Sequence, residues 1–241
     1  MKISELFYSL QGEGKRAGVP SFFIRTNYCN LRCRFTGGNY CDTPYTSWFP
    51  DDDENLGDVE IDNIIEEFEK SGARDAVITG GEPSIQKEEL SLLCSGLKSS
   101  GAYITLETNG TMISDFKNYI DLVSVSPKLS SSVPYGTEHE KAHEKNRINN
   151  DVLLGYEKGF REKLFDVQWK FVICGERDIQ EINELQRSIG FSNRDVYLMP
   201  EGVTPVDIRK NSPRTADLCL KHGYNYSGRL HVDLWGGKRG V

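Results

Sequence analysis

The stretch A-V-I-T-G-G-E-P, Ala76 to Pro83, opens as a short apolar run and stops in a polar, glycine-rich turn. A run of that length bounded by turn residues reads as a strand. The same grammar recurs along the chain. Tyr103–Glu107 runs into Thr108-Asn109-Gly110-Thr111, Leu122–Ser126 into Pro127-Lys128, and Val196–Met199 into Pro200-Glu201-Gly202. One such ending is ordinarily just a turn. Four in succession read as one composite site at the carboxyl edge of a parallel sheet, where α/β folds carry their chemistry.

Working outward, further strands are predicted at Ile3–Ser9, Ser21–Thr26, Gln168–Ile173 and Leu230–Leu234. Helical periodicity begins at Val59, where Ile61, Ile64, Ile65 and Phe68 share a face, and recurs over Lys87–Ser99, Ile179–Ile189 and Pro205–Lys221. Asp58, Asp178 and Thr204 are candidate helix caps. Strands alternating with helices predict a parallel sheet with crossover connections. A full eight-unit barrel takes about 250 residues. This chain has 241 and spends some on a cysteine loop (29–43) and a polar stretch (130–150). The expectation is an α/β fold, a partial (β/α)6 barrel with extra N-terminal and C-terminal segments, forming a single domain over 1–241.

The net charge of −7 argues against a nucleic-acid partner. No apolar run approaches the ~20 residues that cross a membrane, and the start M-K-I-S-E-L-F lacks the apolar core of a secretory signal. A cytoplasmic protein is expected. In a reducing compartment, clustered thiols point to metal or redox chemistry. Cys94, Cys174 and Cys219 are scattered and read as core residues. Cys29, Cys33 and Cys41 are not; they follow a C-x3-C-x7-C pattern. A closed structural zinc site wants four ligands, and nothing local supplies the fourth. A four-iron cluster held by three thiolates leaves one iron open to bind something else. The cluster is the better reading, with zinc still open. His139 and His143, spaced i, i+4, suit a metal in principle, but the surrounding S-S-S-V-P-Y-G-T-E-H-E-K-A-H-E-K reads as a solvated surface segment.

C-N-L-R-C, a third cysteine and a strand ending in G-G-E-P together resemble the radical S-adenosylmethionine superfamily. The resemblance implies a [4Fe–4S] cluster on Cys29, Cys33 and Cys41. Its open iron would chelate S-adenosylmethionine, whose cleavage gives a 5′-deoxyadenosyl radical. It also implies that Gly81 and Glu82 meet the cofactor's amino group, with Thr108, Ser126 and Lys128 nearby. The sequence departs from the usual C-x3-C-x2-C spacing through the insert R-F-T-G-G-N-Y, residues 34–40. This insert is expected to bulge outward and leave the thiols convergent.

Within that superfamily, Glu5–Gly14, Gly18–Arg25, Cys41-Asp42-Thr43 and Arg229–Val241 resemble a subgroup of lyases. These contract 6-carboxy-5,6,7,8-tetrahydropterin to a carboxylated deazaguanine with loss of ammonia, on the route to queuosine and other deazapurines. The resemblance implies Mg2+ bound by Thr43 with Asp42 beside it. It makes Gln11 and Glu13 readers of the pterin edge, Arg25 the clamp on its carboxylate, and Thr79, His231 and the Val241 carboxylate further substrate contacts. No side chain is assigned as acid or base, because the radical does the abstraction. A flavodoxin- or ferredoxin-type reductant and a homodimer are also implied. The run Trp169–Ile173 reads mainly as core strand with Lys170 facing either way, and Glu201 sits on a plausible edge without a role. The alternatives are a radical enzyme that activates a polypeptide, and a non-catalytic zinc or iron–sulfur module.

Overall fold

Side chains alternate between two environments along nearly every strand. In Asp166–Ile173, Trp169, Phe171 and Ile173 are buried in an apolar core, while Lys170 and Val172 line a cavity on the opposite face. The computed structural model describes residues 1–113 and 118–241. Among the described residues nine strands form one sheet: β1 (Lys2–Leu10), β2 (Pro20–Thr26), β3 (Gly57–Asp58), β4 (Asp75–Gly80), β5 (Tyr103–Thr108), β6 (Leu122–Val125), β7 (Asp166–Ile173), β8 (Val196–Pro200) and β9 (Asn225–Tyr226). Their order is β3-β1-β2-β4-β5-β6-β7-β8-β9. From β2 onward every pairing is parallel; β1 pairs antiparallel with β2, and β3 with β1.

Among the described residues seven α-helices accompany the sheet: α1 (Ile61–Ser71), α2 (Lys87–Ser99), α3 (Glu140–Asn146), α4 (Asn150–Arg161), α5 (Glu176–Ile189), α6 (Pro205–His222) and α7 (Leu230–Trp235). In α1 the apolar stripe is Ile64 and Phe68, both fully buried, with Phe68 edge-on to Phe22 of β2. Each contributes about 1.5–3 kcal/mol by leaving water. Gly72, at φ 68°, ends the helix in the left-handed conformation that lacks a Cβ penalty. Thr204 caps α6, its hydroxyl accepting from Asp207 N while the Asp207 carboxylate accepts from Thr204 N. The six strands β2 and β4 to β8 form the partial barrel expected, with the core between its outer face and the helices.

Four local expectations change. Leu230–Leu234 is not a strand but helix α7, closed by Asp233 N to Arg229 O and Gly236 N to Val232 O. Its alternating Leu230, Val232 and Leu234 imitate a strand period, yet Leu234 is exposed. Asp58 caps nothing; it lies in β3, paired with Lys2 at 2.6 Å, and α1 begins after Glu60 without a side-chain cap. Asp178 caps α5 from inside its first turn, accepting from Cys174 N and Gly175 N. The polar stretch 130–150 is solvated on one side only. Ser132, Val133 and His143 are buried against the cysteine loop.

Candidate active site

The seven residues between Cys33 and Cys41 fold as a small β-hairpin. Cys41 N donates to Cys33 O (3.1 Å), Arg34 and Tyr40 pair antiparallel, and Phe35 N donates to Asn39 O (2.8 Å). Gly38, at φ 95°, makes the turn. The long spacing is therefore zipped out of the way, and the flanking cysteines become cross-strand neighbours. Arg34 N and Thr36 N donate to Ser132 O and Ser131 O, Asn39 Nδ2 donates to Glu201 Oε1 (2.9 Å), and Trp48 Nε1 donates to Cys33 O (3.0 Å). Behind the loop, His143 accepts from Arg32 N at Nδ1 and bonds Ser132 Oγ through Nε2. His139 stacks edge-on to Trp48 instead of joining it.

Cys29, Cys33 and Cys41 line one cavity of about 630 Å³, but among the described residues no three His, Cys, Asp or Glu side chains draw together as a single-ion site. Burial pushes the Cys29 thiol up to about 12 and raises Cys33 and Cys41 as well. Thiols in such a place become thiolates only if a metal centre supplies the compensating charge. Three sulfurs spread around one cavity, without a fourth ligand, fit a cluster with an open iron.

Beside the thiols, Gly81 approaches the loop backbone so closely that a Cβ would collide with Tyr28 O. Gly81, Thr108, Ser126 and Lys128 all line the cavity, and the Lys128 ammonium donates to Ser126 Oγ (2.8 Å). Glu82 departs from expectation. Its carboxylate is fully buried, does not line the cavity, and accepts from Ser84 N (3.0 Å), Asn109 N (2.7 Å) and the Thr108 hydroxyl. It ties β4 to β5, and Gly81, not Glu82, faces the cavity.

The cavity also holds a network of buried charges. Glu13 is ion-paired with Lys170 on one oxygen and accepts from Arg229 Nε at 3.1 Å on the other. Burial alone would raise its carboxyl, but Lys170 and Arg229 outweigh that and hold it well below the usual range. Lys170 also lies 3.8 Å from Glu107, whose carboxylate accepts from Gln11 Nε2 (3.2 Å) and Thr79 Oγ1 (2.8 Å). Arg229 continues to Asp42. Arg25 donates its Nε to Glu5 (2.8 Å), and Tyr45 donates to the same oxygen. His231 packs so tightly on Gly12 that a Cβ there would strike its ring.

The structure thus brings Gln11, Glu13, Arg25, Thr79, His231 and Val241 around one cavity, with Asp42 and Thr43 between them and the thiols. Thr43 offers a hydroxyl to the cavity, while Asp42 is engaged by Arg229. So sparse a set of oxygens fits Mg2+, which keeps most of its waters. Sequence reasoning missed Lys170, Glu107 and Arg229. The signal for Lys170 was available: a lysine between Trp169 and Phe171, on a strand covered by helices, must face inward to a partner.

The chain matches the family model described as the radical SAM superfamily over residues 23–158. It is 41% identical to 7-carboxy-7-deazaguanine synthase of Halobacterium salinarum, covering 98% of this chain and 90% of that protein. It is 36% identical to the enzyme of that name from Rhodopirellula baltica, covering 99% and 88%. The crystal structure of QueE from Escherichia coli superposes with a TM-score of 0.65 at 24% identity, covering 95% of this chain and 94% of that one, which shows the shared fold. The three-thiol cavity at the carboxyl edge of a six-strand partial barrel and these full-length relatives agree: the chain belongs to the radical SAM superfamily and, within it, to the 7-carboxy-7-deazaguanine synthase family.

Proposed function

We propose that this site contracts 6-carboxy-5,6,7,8-tetrahydropterin to 7-carboxy-7-deazaguanine with release of ammonia. The observation that carries the reading is that the three thiols and Glu13, Arg25 and His231 line one and the same cavity. When bound, the [4Fe–4S] cluster and S-adenosylmethionine supply the radical that takes the substrate hydrogen. The chain's own residues position and select. Glu13, kept ionised by Lys170 and Arg229, accepts from the N–H donors of the pterin edge, with Gln11 and Thr79 beside it. Arg25 meets the substrate carboxylate, a task that a guanidinium fork suits better than an ammonium. Thr43, with Asp42 behind it, takes Mg2+. His231 and Val241 close the substrate side, and Gly81, Thr108, Ser126 and Lys128 hold the cofactor.

Electrons come from a flavodoxin- or ferredoxin-type reductant, and the working unit is a cytoplasmic homodimer. No helix among the described residues is long and apolar enough to cross a membrane. A cavity lined by the tail Gly236–Val241 favours a small molecule over a polypeptide substrate. The test is anaerobic incubation of the reconstituted protein with S-adenosylmethionine, Mg2+, reductant and the carboxypterin. Appearance of the deazaguanine mass supports the reading. S-adenosylmethionine cleavage with no change in the pterin would overturn the substrate, and a colourless, iron-free protein would overturn the chemistry.

A further inference from the structure

Among the described residues, the side-chain hydrogen bonds that fasten the tail lining the cavity come from Arg239. Arg239 donates Nε to Glu5 Oε1 (2.5 Å), Nη1 to Asp52 (3.3 Å) and Glu54 (3.1 Å), and Nη2 to Asn55 Oδ1 (2.9 Å). Its guanidinium lies 3.9 Å over the Tyr45 ring. The segment around it is glycine-rich: Gly236, Gly237 and Gly240, the first and last at φ 69° and 74°. Such a segment has little rigidity of its own, so its place over the cavity depends on this anchor.

Glu5 serves a second arginine. Its Oε2 accepts from Arg25 Nε (2.8 Å) and from the Tyr45 hydroxyl (3.1 Å), while its Oε1 accepts from Arg239. Among the described residues Arg25 donates only its Nε to protein, so its Nη pair is left for the cavity it lines. The Glu5 side chain is about nine-tenths buried, as its two arginines cover it. A buried carboxylate bridging two guanidiniums fixes both, because moving either strips a charge of its partner.

We propose that Glu5 is a shared counter-ion that sets the aim of Arg25 and the seating of Arg239 together, making Arg239 a positioning residue for recognition of the substrate carboxylate. The inference rests on the carboxypterin reading above. With Arg239 removed, Glu5 is free to swing onto the Arg25 Nη atoms and compete there with the ligand. A tail anchor with no such link would affect every ligand of the cavity alike.

The test measures dissociation constants on anaerobic, cluster-loaded protein with S-adenosylmethionine present, for 6-carboxytetrahydropterin and for tetrahydropterin without the carboxylate. Wild type, Arg239→Gln and Arg239→Lys are compared, with thermal melts confirming the fold. The expected result is about a tenfold loss for the carboxylated ligand in Arg239→Gln. The loss is smaller in Arg239→Lys, and the decarboxylated pterin, which shares the tail contacts but lacks the Arg25 one, loses at least about threefold less than the carboxylated ligand. Equal losses for both ligands, or no loss for either, overturn the coupling. Wild-type protein that binds neither pterin refutes the substrate reading itself. Should Arg239→Gln fail to fold, Arg239→Lys alone decides, since its preference for the carboxylated ligand must still fall.

Discussion

A buried carboxylate is tolerable only where donors or cations surround it, and Glu82 and Glu13 reach that state by different routes. Glu82 is held by backbone N–H groups and a hydroxyl; burial raises its carboxyl. Glu13 is held by Lys170 and Arg229 and stays ionised. Glu82→Gln would turn an amide toward donors that need an acceptor. The expected cost is about 1–3 kcal/mol of stability, read as a lower urea midpoint, with S-adenosylmethionine affinity of the folded protein changed by less than about threefold. A large affinity loss at unchanged stability would put the carboxylate back in the cofactor pocket. The sequence offers G-G-E-P as a unit, and the cavity-lining glycine was legible from it. The turning-away of the glutamate was not, because it depends on Thr108 and Asn109, which lie a strand away.

At the scale of elements, the hairpin 34–40 converts a long gap between ligands into a close pair. Gly38→Val places a β-branched residue at φ 95°, which costs on the order of 1–2 kcal/mol. The expected outcome is lower iron per chain after anaerobic reconstitution, together with a melting temperature of the cluster-free protein lower by only about 2–8 °C. Full iron loading would show that the thiols converge without the hairpin. The helix behind it, α3, makes a pH prediction. Burial and the nearby Arg147 lower the His143 imidazole to about 4, from an ordinary 6.5. The unfolded chain then binds the proton first as pH falls, so this contribution is complete above pH 6.5 and lost down to about pH 4. At about 1.4 kcal/mol per pKa unit it amounts to roughly 3 kcal/mol. Thermal melts of cluster-free protein should show a steeper loss between those limits in wild type than in His143→Gln, and parallel curves would contradict the assignment. The main strands and the helices α1, α2, α5 and α6 were legible from periodicity. Helices α3 and α4 were not, since the polar outer face of α3 hides a single buried histidine and α7 borrows a strand's alternation.

The molecule as a whole divides its two sheet faces between stability and function. The outer face packs Ile24, Ile78, Leu106, Trp169 and Phe171 against the helices, while the inner face carries Arg25, Thr79, Glu107 and Lys170. Ions buried inside a barrel give up hydration that their mutual attraction only partly offsets. The pair Glu13–Lys170 joins the β1–β2 loop to β7, so its energy can be read as coupling across the fold. Lys170→Met leaves Glu13 and Glu107 with one fewer cation, and Glu13→Gln leaves Lys170 with only Glu107 at 3.8 Å. Each single change should cost about 3–5 kcal/mol. The double variant Glu13→Gln/Lys170→Met removes both charges and should recover most of that loss, giving a favourable coupling of several kcal/mol in a double-mutant cycle from urea unfolding. It should nonetheless form no deazaguanine, because the proposed pterin reader, Glu13, is gone. Additive losses would mean that the two charges are not paired in the folded protein. A stable double variant that still turned over the carboxypterin would remove Glu13 from the substrate site.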